Sequence, residues 1–584
     1  MNAMSGRWRR VAQKIVGHAS WVLPGGQSSW GDAMWRELDY IEDDRAALRW
    51  AIGCVTASYV MRLAALPRLG LRLSPRSVLA GILLLSIGLA VQGYASGESS
   101  LPAFEESICD LPDVTPEIRP RLRCGTVRVP RDHARPDTGS FSLAVVVIKS
   151  AQQPSLPDPV VYINGGPGNP LTIYATYQAR NPYAPRRDLI LVDQRGSGRS
   201  EPSLCPGLDH TLLEANLAVA ANGTADAMVK RRAAYITCRD QATRRGFDLK
   251  AFGTRVTAED FEWVRQALGI ERWNVYGESY GTAVAMTLVA LHPEAVRSAV
   301  LDSIYPPDPV PLWSAVVSAA RDAFFVHCAQ DEACSASFPD LAGTYRETLD
   351  RLDRTPLIVN VPPQLQQPND QARMTAPLFE VLVNRLLYFP TAYPTLPRII
   401  QSVHDGDARG LGNLVASEME AARMENRATN AAVECRDRPH FRNPLPPGAN
   451  VMDRTQLYGV CEGWSELGPA PLVPIGASVP TLVLAGQFDP VARPSLSRHV
   501  AELIGRSARW IEFPLVGHNV RGFSPCGAKS RRISSTIRGR RRIHRCRSKA
   551  TDPLRLKSAD TLSFAGPASS LFMRQIGGCG AVDE

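Results

Sequence analysis

Residues 273–293 read WNVYGESYGTAVAMTLVALHP. A short run of strand-favouring residues, WNVY, leads into Gly277-Glu278-Ser279-Tyr280-Gly281, and a helix-like apolar stretch follows. Gly-x-Ser-x-Gly between a strand and a helix is the setting of a sharp turn that lifts a serine hydroxyl off the edge of a sheet. The small residues permit that turn, and the N–H of Tyr280 is then free to face a developing oxyanion. Ser279 is therefore the candidate nucleophile.

A serine hydroxyl attacks poorly unless a base takes its proton, and the base needs an acid to hold its tautomer. Where the serine sits on such a turn, both partners come later in the chain, acid before base. Asp489 stands in GQFDP just after the apolar run TLVLAG, and His518 stands in VGHN just after WIEF. Taken singly, one is a turn-forming Asp-Pro and the other a loop histidine; their joint order and placement make them the candidate acid and base.

The third element is Asn164-Gly165-Gly166-Pro167-Gly168, which follows the run VVYI. A glycine turn there lets backbone N–H groups approach a substrate closely, so Gly165 and Gly166, with Tyr280, are expected to form an oxyanion hole. A phosphate cradle is the other use of such a loop, but no Walker Lys-Ser/Thr follows and the dinucleotide spacing is missing.

Working outward, short apolar runs recur at 141–149 (FSLAVVVIK), 160–164 (VVYIN), 188–193 (DLILVD), 273–277, 299–302 (AVLD), 481–485 (TLVLA) and 508–513 (ARWIEF). Runs of this kind, buried on both faces and separated by helical stretches, predict an α/β fold with a mostly parallel sheet flanked by helices. One such helix, 257–268 (TAEDFEWVRQAL), is expected to open at Thr257 with Thr-Ala-Glu-Asp as its cap. Between 305 and 479 the strand series breaks and helical stretches such as 377–387 and 410–427 take over. A large, mainly helical cap insertion over the carboxyl edge of the sheet is expected, where open α/β sheets bind ligands.

The formal charge of +9 invites a nucleic-acid reading, but the segment from Gly527 onward alone holds 13 Lys and Arg against 4 Asp and Glu. The excess of the whole chain thus sits in an Arg- and Ser-rich tail without apolar period, which argues against a basic binding face and excludes nucleic acid as a partner. That tail reads as disordered or as a frameshifted end.

Twelve cysteines are many for a cytosolic hydrolase. Several are neighbours within one segment: Cys109 and Cys124, Cys205 and Cys238, Cys328 and Cys334, Cys435 and Cys461. Disulfides in an oxidising compartment are the first reading and buried free thiols the second, with pairing left open. No cluster has metal-ligand spacing, so neither metal nor organic cofactor is expected.

The run VLAGILLLSIGLAV at 78–91 follows Arg62, Arg68, Arg72 and Arg76 and precedes Gly93-Tyr94-Ala95. Basic flank, apolar core and small-x-small ending describe a secretory signal over 61–95, provided translation starts at Met61. In that case residues 1–60 are a helical segment outside the mature protein or a fused piece; if translation starts at Met1, the segment 78–95 becomes a single membrane anchor of marginal length. Both readings place everything after the run outside the cytoplasm, by the arginines before it and Glu98, Glu105 and Glu106 after it.

Six motifs in order, NGGPG, VDQRGSGRS (192–200), YGESYGT, AVLDSIYPP, LAGQFDPVARP and VGHNVRGFSPC, together resemble the prolyl and tripeptidyl aminopeptidase family of α/β-hydrolases. They are most similar to its secreted tripeptidyl-aminopeptidase branch with the characteristic C-terminal region. The resemblance spans 109–526. It implies an α/β-hydrolase fold, Ser279, Asp489 and His518 as triad, donors from Gly165, Gly166 and Tyr280, and exopeptidase action on free peptide N-termini. The prolyl branch usually carries His where this chain has Asn164, which points to the tripeptidyl branch, and the tail after Cys526 departs from the family altogether. Glu434 and Asp437 in VECRDRP resemble a Cys-x-Asp element of the family; as carboxylates they suit an α-ammonium, and a solvated pair is the competing reading.

The organisation expected is then a helical N-terminal segment (1–60), a signal or anchor (61–95), a hydrolase core in two parts (107–307 and 480–526) split by the cap (308–479), and the basic tail (527–584). The chemistry expected is acyl transfer to Ser279 from a peptide. An esterase or lipase is the rival inside hydrolases, because fold and triad do not choose between amide and ester. The rival outside enzymes is an inactive, membrane-anchored hydrolase-like binding protein.

Overall fold

Strands β4 (Val160–Ile163) and β5 (Leu189–Val192) have every residue buried, as expected of runs that are apolar without alternation and covered on both faces. They lie inside a nine-stranded sheet of order β1-β2-β3-β5-β4-β6-β7-β10-β11. Its other strands are β1 (Phe104–Ser107), β2 (Leu122–Pro130), β3 (Ser140–Ile148), β6 (Trp273–Glu278), β7 (Val296–Asp302), β10 (Thr481–Gly486) and β11 (Ala508–Phe513). From β5 through β11 all neighbours are parallel, while β1, β2, β3 and β5 pair antiparallel. This computed structural model describes residues 5–23, positions between 31 and 58, 102–180, 186–209, 211–212, 224–305, 312–361, 371–422, 426–443, scattered positions from 447 to 464, and 479–523.

The parallel half matches the runs read from the sequence. The antiparallel start does not: β1 and β2 were not among those runs, because β1 (FEES) is largely exposed and β2 (LRCGTVRVP) mixes arginines with its apolar residues. Register puts the functional positions on one edge. Ile163 pairs with Gly277, Glu278 with Asp302, and Asp302 with Leu484, so the loops that leave the carboxyl ends of β4, β6, β7, β10 and β11 emerge side by side.

Between β7 and β10 lie helices Trp313–Gln330, Glu332–Ser337, Leu341–Arg354, Ala376–Leu387, Leu396–His404, Leu411–Ala422 and Arg427–Asp437, with a two-stranded hairpin of β8 (Leu357–Asn360) and β9 (Gln371–Met374). Most of these helices share a core of their own that includes Phe324, Tyr345, Phe379, Leu387 and Ile400, and also Phe488 beside Asp489. Phe488 packs edge-on against Phe324 and Tyr393, with ring centroids 5.6 and 5.5 Å apart. Helix Arg427–Asp437 is different, since Ala428, Ala431, Ala432 and Val433 belong to the main core around the sheet.

One expectation is corrected. The helix read as opening at Thr257 begins at Thr254. Its first N–H is taken not by a local Thr-x-x-Asp cap but by the Asp437 carboxylate, which accepts from Thr254 N at 2.6 Å and from Thr254 Oγ1 at 2.5 Å. A carboxylate supplied by a distant helix satisfies an orphan donor and favours the positive end of the dipole, which lets the helix extend one turn earlier.

The four neighbouring cysteine pairs are all joined: Cys109–Cys124, Cys205–Cys238, Cys328–Cys334 and Cys435–Cys461. The chain divides into two compact units, 1–101 and 102–584. The first contains the helix Ser5–Val22 and a small core of Ala12, Val16, Ala19, Met34, Leu38, Ala47, Ala51 and Cys54. Among the described residues no helix is long and apolar enough to cross a membrane. The apolar run 78–91 and the tail 527–584 lie outside the described residues.

Candidate active site

Ser279 has φ 54° and ψ −128°, a left-handed conformation rare for a residue with a side chain, and caps the helix Tyr280–Leu291. Its flanking glycines make this turn sterically feasible. A Cβ on Gly277 would lie 2.6 Å from Gly281 O, and one on Gly281 would overlap Ile163 O of β4. Strain of this kind concentrates at functional sites. The N–H of Ser279 is held by Asp302 O at 3.0 Å.

The glycine loop after β4 lies directly against this turn. A Cβ on Gly165 would stand 2.7 Å from Ser279 Cβ and 3.1 Å from its Oγ, so only glycine allows the approach. Gly166 takes φ 119°, and an added Cβ would sit 2.8 Å from Gly168 N. The segment 192–200 braces the loop from behind. Gln194 Nε2 donates to Asn164 O at 3.0 Å, and Asn164 Nδ2 donates to Asn169 O at 3.0 Å. The buried Asp193 carboxylate accepts from Leu171 N, Thr172 N, Thr172 Oγ1 and Arg199 N. Arg195 forms a buried two-point pair with Asp260 and also donates to Ala251 O at 2.7 Å.

Asp489 and His518 meet as the sequence order suggested. His518 Nδ1 is 3.0 Å from both carboxylate oxygens of Asp489, whose Oδ1 also accepts from Val491 N and Ala492 N at 2.8 Å. Burial disfavours the His518 imidazolium, but the charge and hydrogen bond of Asp489 outweigh it, so the pKa lies above the ordinary 6.5. The Tyr388 ring stands edge-on to His518 at 5.2 Å, just beyond helix Ala376–Leu387. A Cβ on Gly517 would collide with Leu387 O, so the insertion packs directly on the histidine loop.

Tyr280 and the two carboxylates of 427–437 form one buried network behind the turn. The Tyr280 hydroxyl lies 3.2 Å from Thr254 Oγ1, whose single proton goes to Asp437. Tyr280 meets Tyr305 edge-on at 5.9 Å, and the Tyr305 hydroxyl donates to Glu434 Oε2 at 2.6 Å. Arg438 covers the Tyr305 ring at 3.9 Å, with its Nε 3.5 Å from Glu434. Burial pushes the Glu434 carboxyl up from 4.5 to about 7. The sequence reading assigned no role to Asp302, Tyr305, Arg438 or Thr254: the first two lie inside AVLDSIYPP and Arg438 inside VECRDRP, but their partners are set only by the fold. Among the described residues no group of three or more His, Cys, Asp or Glu side chains is gathered to hold a metal ion.

A strained serine at a strand-to-helix turn, a glycine loop against it and a His–Asp pair on the same sheet edge define a protein of the hydrolase class. Residues 158–523 match the family model described as alpha/beta hydrolase fold, and the chain belongs to that family. It is 30% identical over 202 residues to the tripeptidyl aminopeptidase of Streptomyces coelicolor, a match covering 33% of this chain and 37% of that protein. It is 25% identical over 482 residues to the serine protease Hip1 of Mycobacterium tuberculosis, covering 72% of this chain and 89% of that one. A solved proline iminopeptidase from Mycobacterium smegmatis superposes with a TM-score of 0.35 at 17% identity, covering 73% of this chain and all of that one. The aminopeptidase resemblance read from the six motifs is borne out by the family match and by the Streptomyces and Mycobacterium tuberculosis relatives.

Proposed function

We propose that this chain is an exported serine peptidase that releases short peptides, tripeptides foremost, from free N-termini. The observation that supports the proposal is the close approach of Gly165 to Ser279, which leaves no room for a Cβ between the glycine loop and a strained serine at the sheet edge. In the proposed reaction His518 takes the Ser279 proton and the hydroxyl attacks the scissile carbonyl. Donors from Gly165, Gly166 and Tyr280 hold the oxyanion. His518 then protonates the leaving amine and activates the water that hydrolyses the acyl-enzyme, while Asp489 stabilises the imidazolium throughout. The names of the relatives support amide rather than ester substrates.

Of the two carboxylates proposed to meet the substrate's α-ammonium, Asp437 fits better. Its Oδ1 has no hydrogen-bond partner among the described residues, whereas Glu434 is engaged by Tyr305 and Arg438. Export is supported by the four disulfides, with 61–95 as signal or 78–95 as anchor.

The test is hydrolysis of peptidyl-p-nitroanilides with free and with acetylated N-termini, beside a short p-nitrophenyl ester and a Ser279→Ala control. Cleavage of free-N-terminus peptides alone, lost in the variant, is the expected result. Cleavage of the ester without any peptide moves the assignment to an esterase, and silence on all substrates leaves an inactive scaffold.

A further inference from the structure

Asp302 at the end of β7 is a fully buried carboxylate that the proposed reaction does not use. It is bonded on two sides. Its backbone carbonyl accepts the Ser279 N–H at 3.0 Å. Its side chain reaches the other way, where Oδ1 accepts from Val520 N and Oδ2 from Arg521 N, both at 2.9 Å. Those residues open the one-turn helix Val520–Phe523, directly after His518-Asn519. Ser303 adds a parallel tether, its Oγ accepting from Asn519 N at 2.9 Å. The Tyr276 hydroxyl donates to Asp302 Oδ2 from the middle of β6. Hydrogen bonds to a buried carboxylate are shorter and stronger than neutral ones, so the tether is stiff.

We infer that Asp302 is the positioning residue of this site, locking the height of the His518 loop to that of the Ser279 turn. The inference rests on the catalytic reading of Ser279 and His518. Asp302 touches neither proton nor substrate; it acts through two backbone segments that bracket the reacting pair. Its charge also belongs to the field at His518, which is faced by Asp489 after β10, Glu278 on β6, Asp302 on β7 and the Tyr388 ring from the insertion.

Asp302→Asn keeps the shape and one acceptor but turns an N–H₂ toward a backbone N–H and removes the charge. In the full chain, kcat is expected to fall about 10- to 100-fold with KM unchanged, the scale of a small misplacement of reacting groups. The acid limb of the pH–kcat/KM profile is expected to move to lower pH, because a negative charge that favours the imidazolium is gone. Ser303→Ala, which keeps the charge, should lower kcat by less and leave the limb in place. A folded Asp302→Asn protein with wild-type kcat and an unmoved limb overturns the inference. If that variant does not fold, Ser303→Ala decides, and wild-type kcat there overturns it equally. Retained activity in Ser279→Ala would instead fail the catalytic reading itself.

Discussion

Gly165 and Ser279 are in van der Waals contact across two loops that leave neighbouring strands, β4 and β6, with no room for a Cβ between them. The glycine loop and the Ser279 turn therefore form a single fitted unit. Gly165→Ala should cost about 10²-fold in kcat, since either the serine or the donors must shift, and should lower the melting temperature too, because the added methyl enters a buried contact with no room for it. Steady-state kinetics with a melting curve checks both halves.

The pH profile follows from the His518–Asp489 pair. In the proposed reaction the neutral imidazole is the base; with its pKa held above 6.5, kcat/KM should rise with pH through an acid limb above that value. The same raised pKa means that the imidazolium stabilises the fold fully below the unfolded value, a contribution lost as pH rises through the folded one. Asp489→Asn should lower kcat by about 10⁴-fold through loss of the tautomer.

Glu434 supplies an independent titration. Its carboxyl goes from an ordinary 4.5 to about 7 in the fold, so between those values the unfolded chain is ionised while the folded one is not. Ionisation thus costs the wild type stability as pH rises from 4.5 toward 7, and Glu434→Gln escapes that cost. The stability of the variant relative to wild type should climb between pH 5 and 8, as read by denaturant unfolding at each pH.

Arg195 and Asp260 are 1% and 2% exposed, and Asp260 is also 2.8 Å from His133 Nε2. Removing one partner strands a buried charge, so Arg195→Ala should destabilise by about 3–5 kcal/mol. It should also loosen the brace behind Asn164, seen as a lower melting temperature together with a lower kcat.

The disulfides close loops of different size, with separations of 33 residues for Cys205–Cys238 and 6 for Cys328–Cys334. Replacing the first pair by serines should cost about 4 kcal/mol and the second about 2 kcal/mol, from loop-closure entropy. Urea unfolding of the two double variants orders them.

Much of the site was legible because its parts are local. Ser279, the Gly165-Gly166 turn, Asp489 and His518 each follow an apolar run, and a buried parallel strand announces itself by composition alone. What was not legible is joined over long separations. The cap of Thr254 comes from Asp437, 183 residues away, and the bonds from Asp302 to Val520 and Arg521 span 218 and 219. An aspartate at the end of β7 has no periodicity or spacing that names its partner, and only the sheet register brings it between Ser279 and His518. Strands β1 and β2 escaped for another reason: β1 is the exposed edge strand, and β2 beside it carries Arg123 and Arg128 among its apolar residues, which interrupts the pattern.

The central claim, that Ser279 is an activated nucleophile served by His518, is tested most directly by labelling the purified protein with a fluorophosphonate and mapping the adduct by mass spectrometry. One adduct is expected, on Ser279, formed at a rate that follows the deprotonation of His518 and abolished in His518→Ala. An adduct on another residue, or none at Ser279 in folded protein, would contradict it.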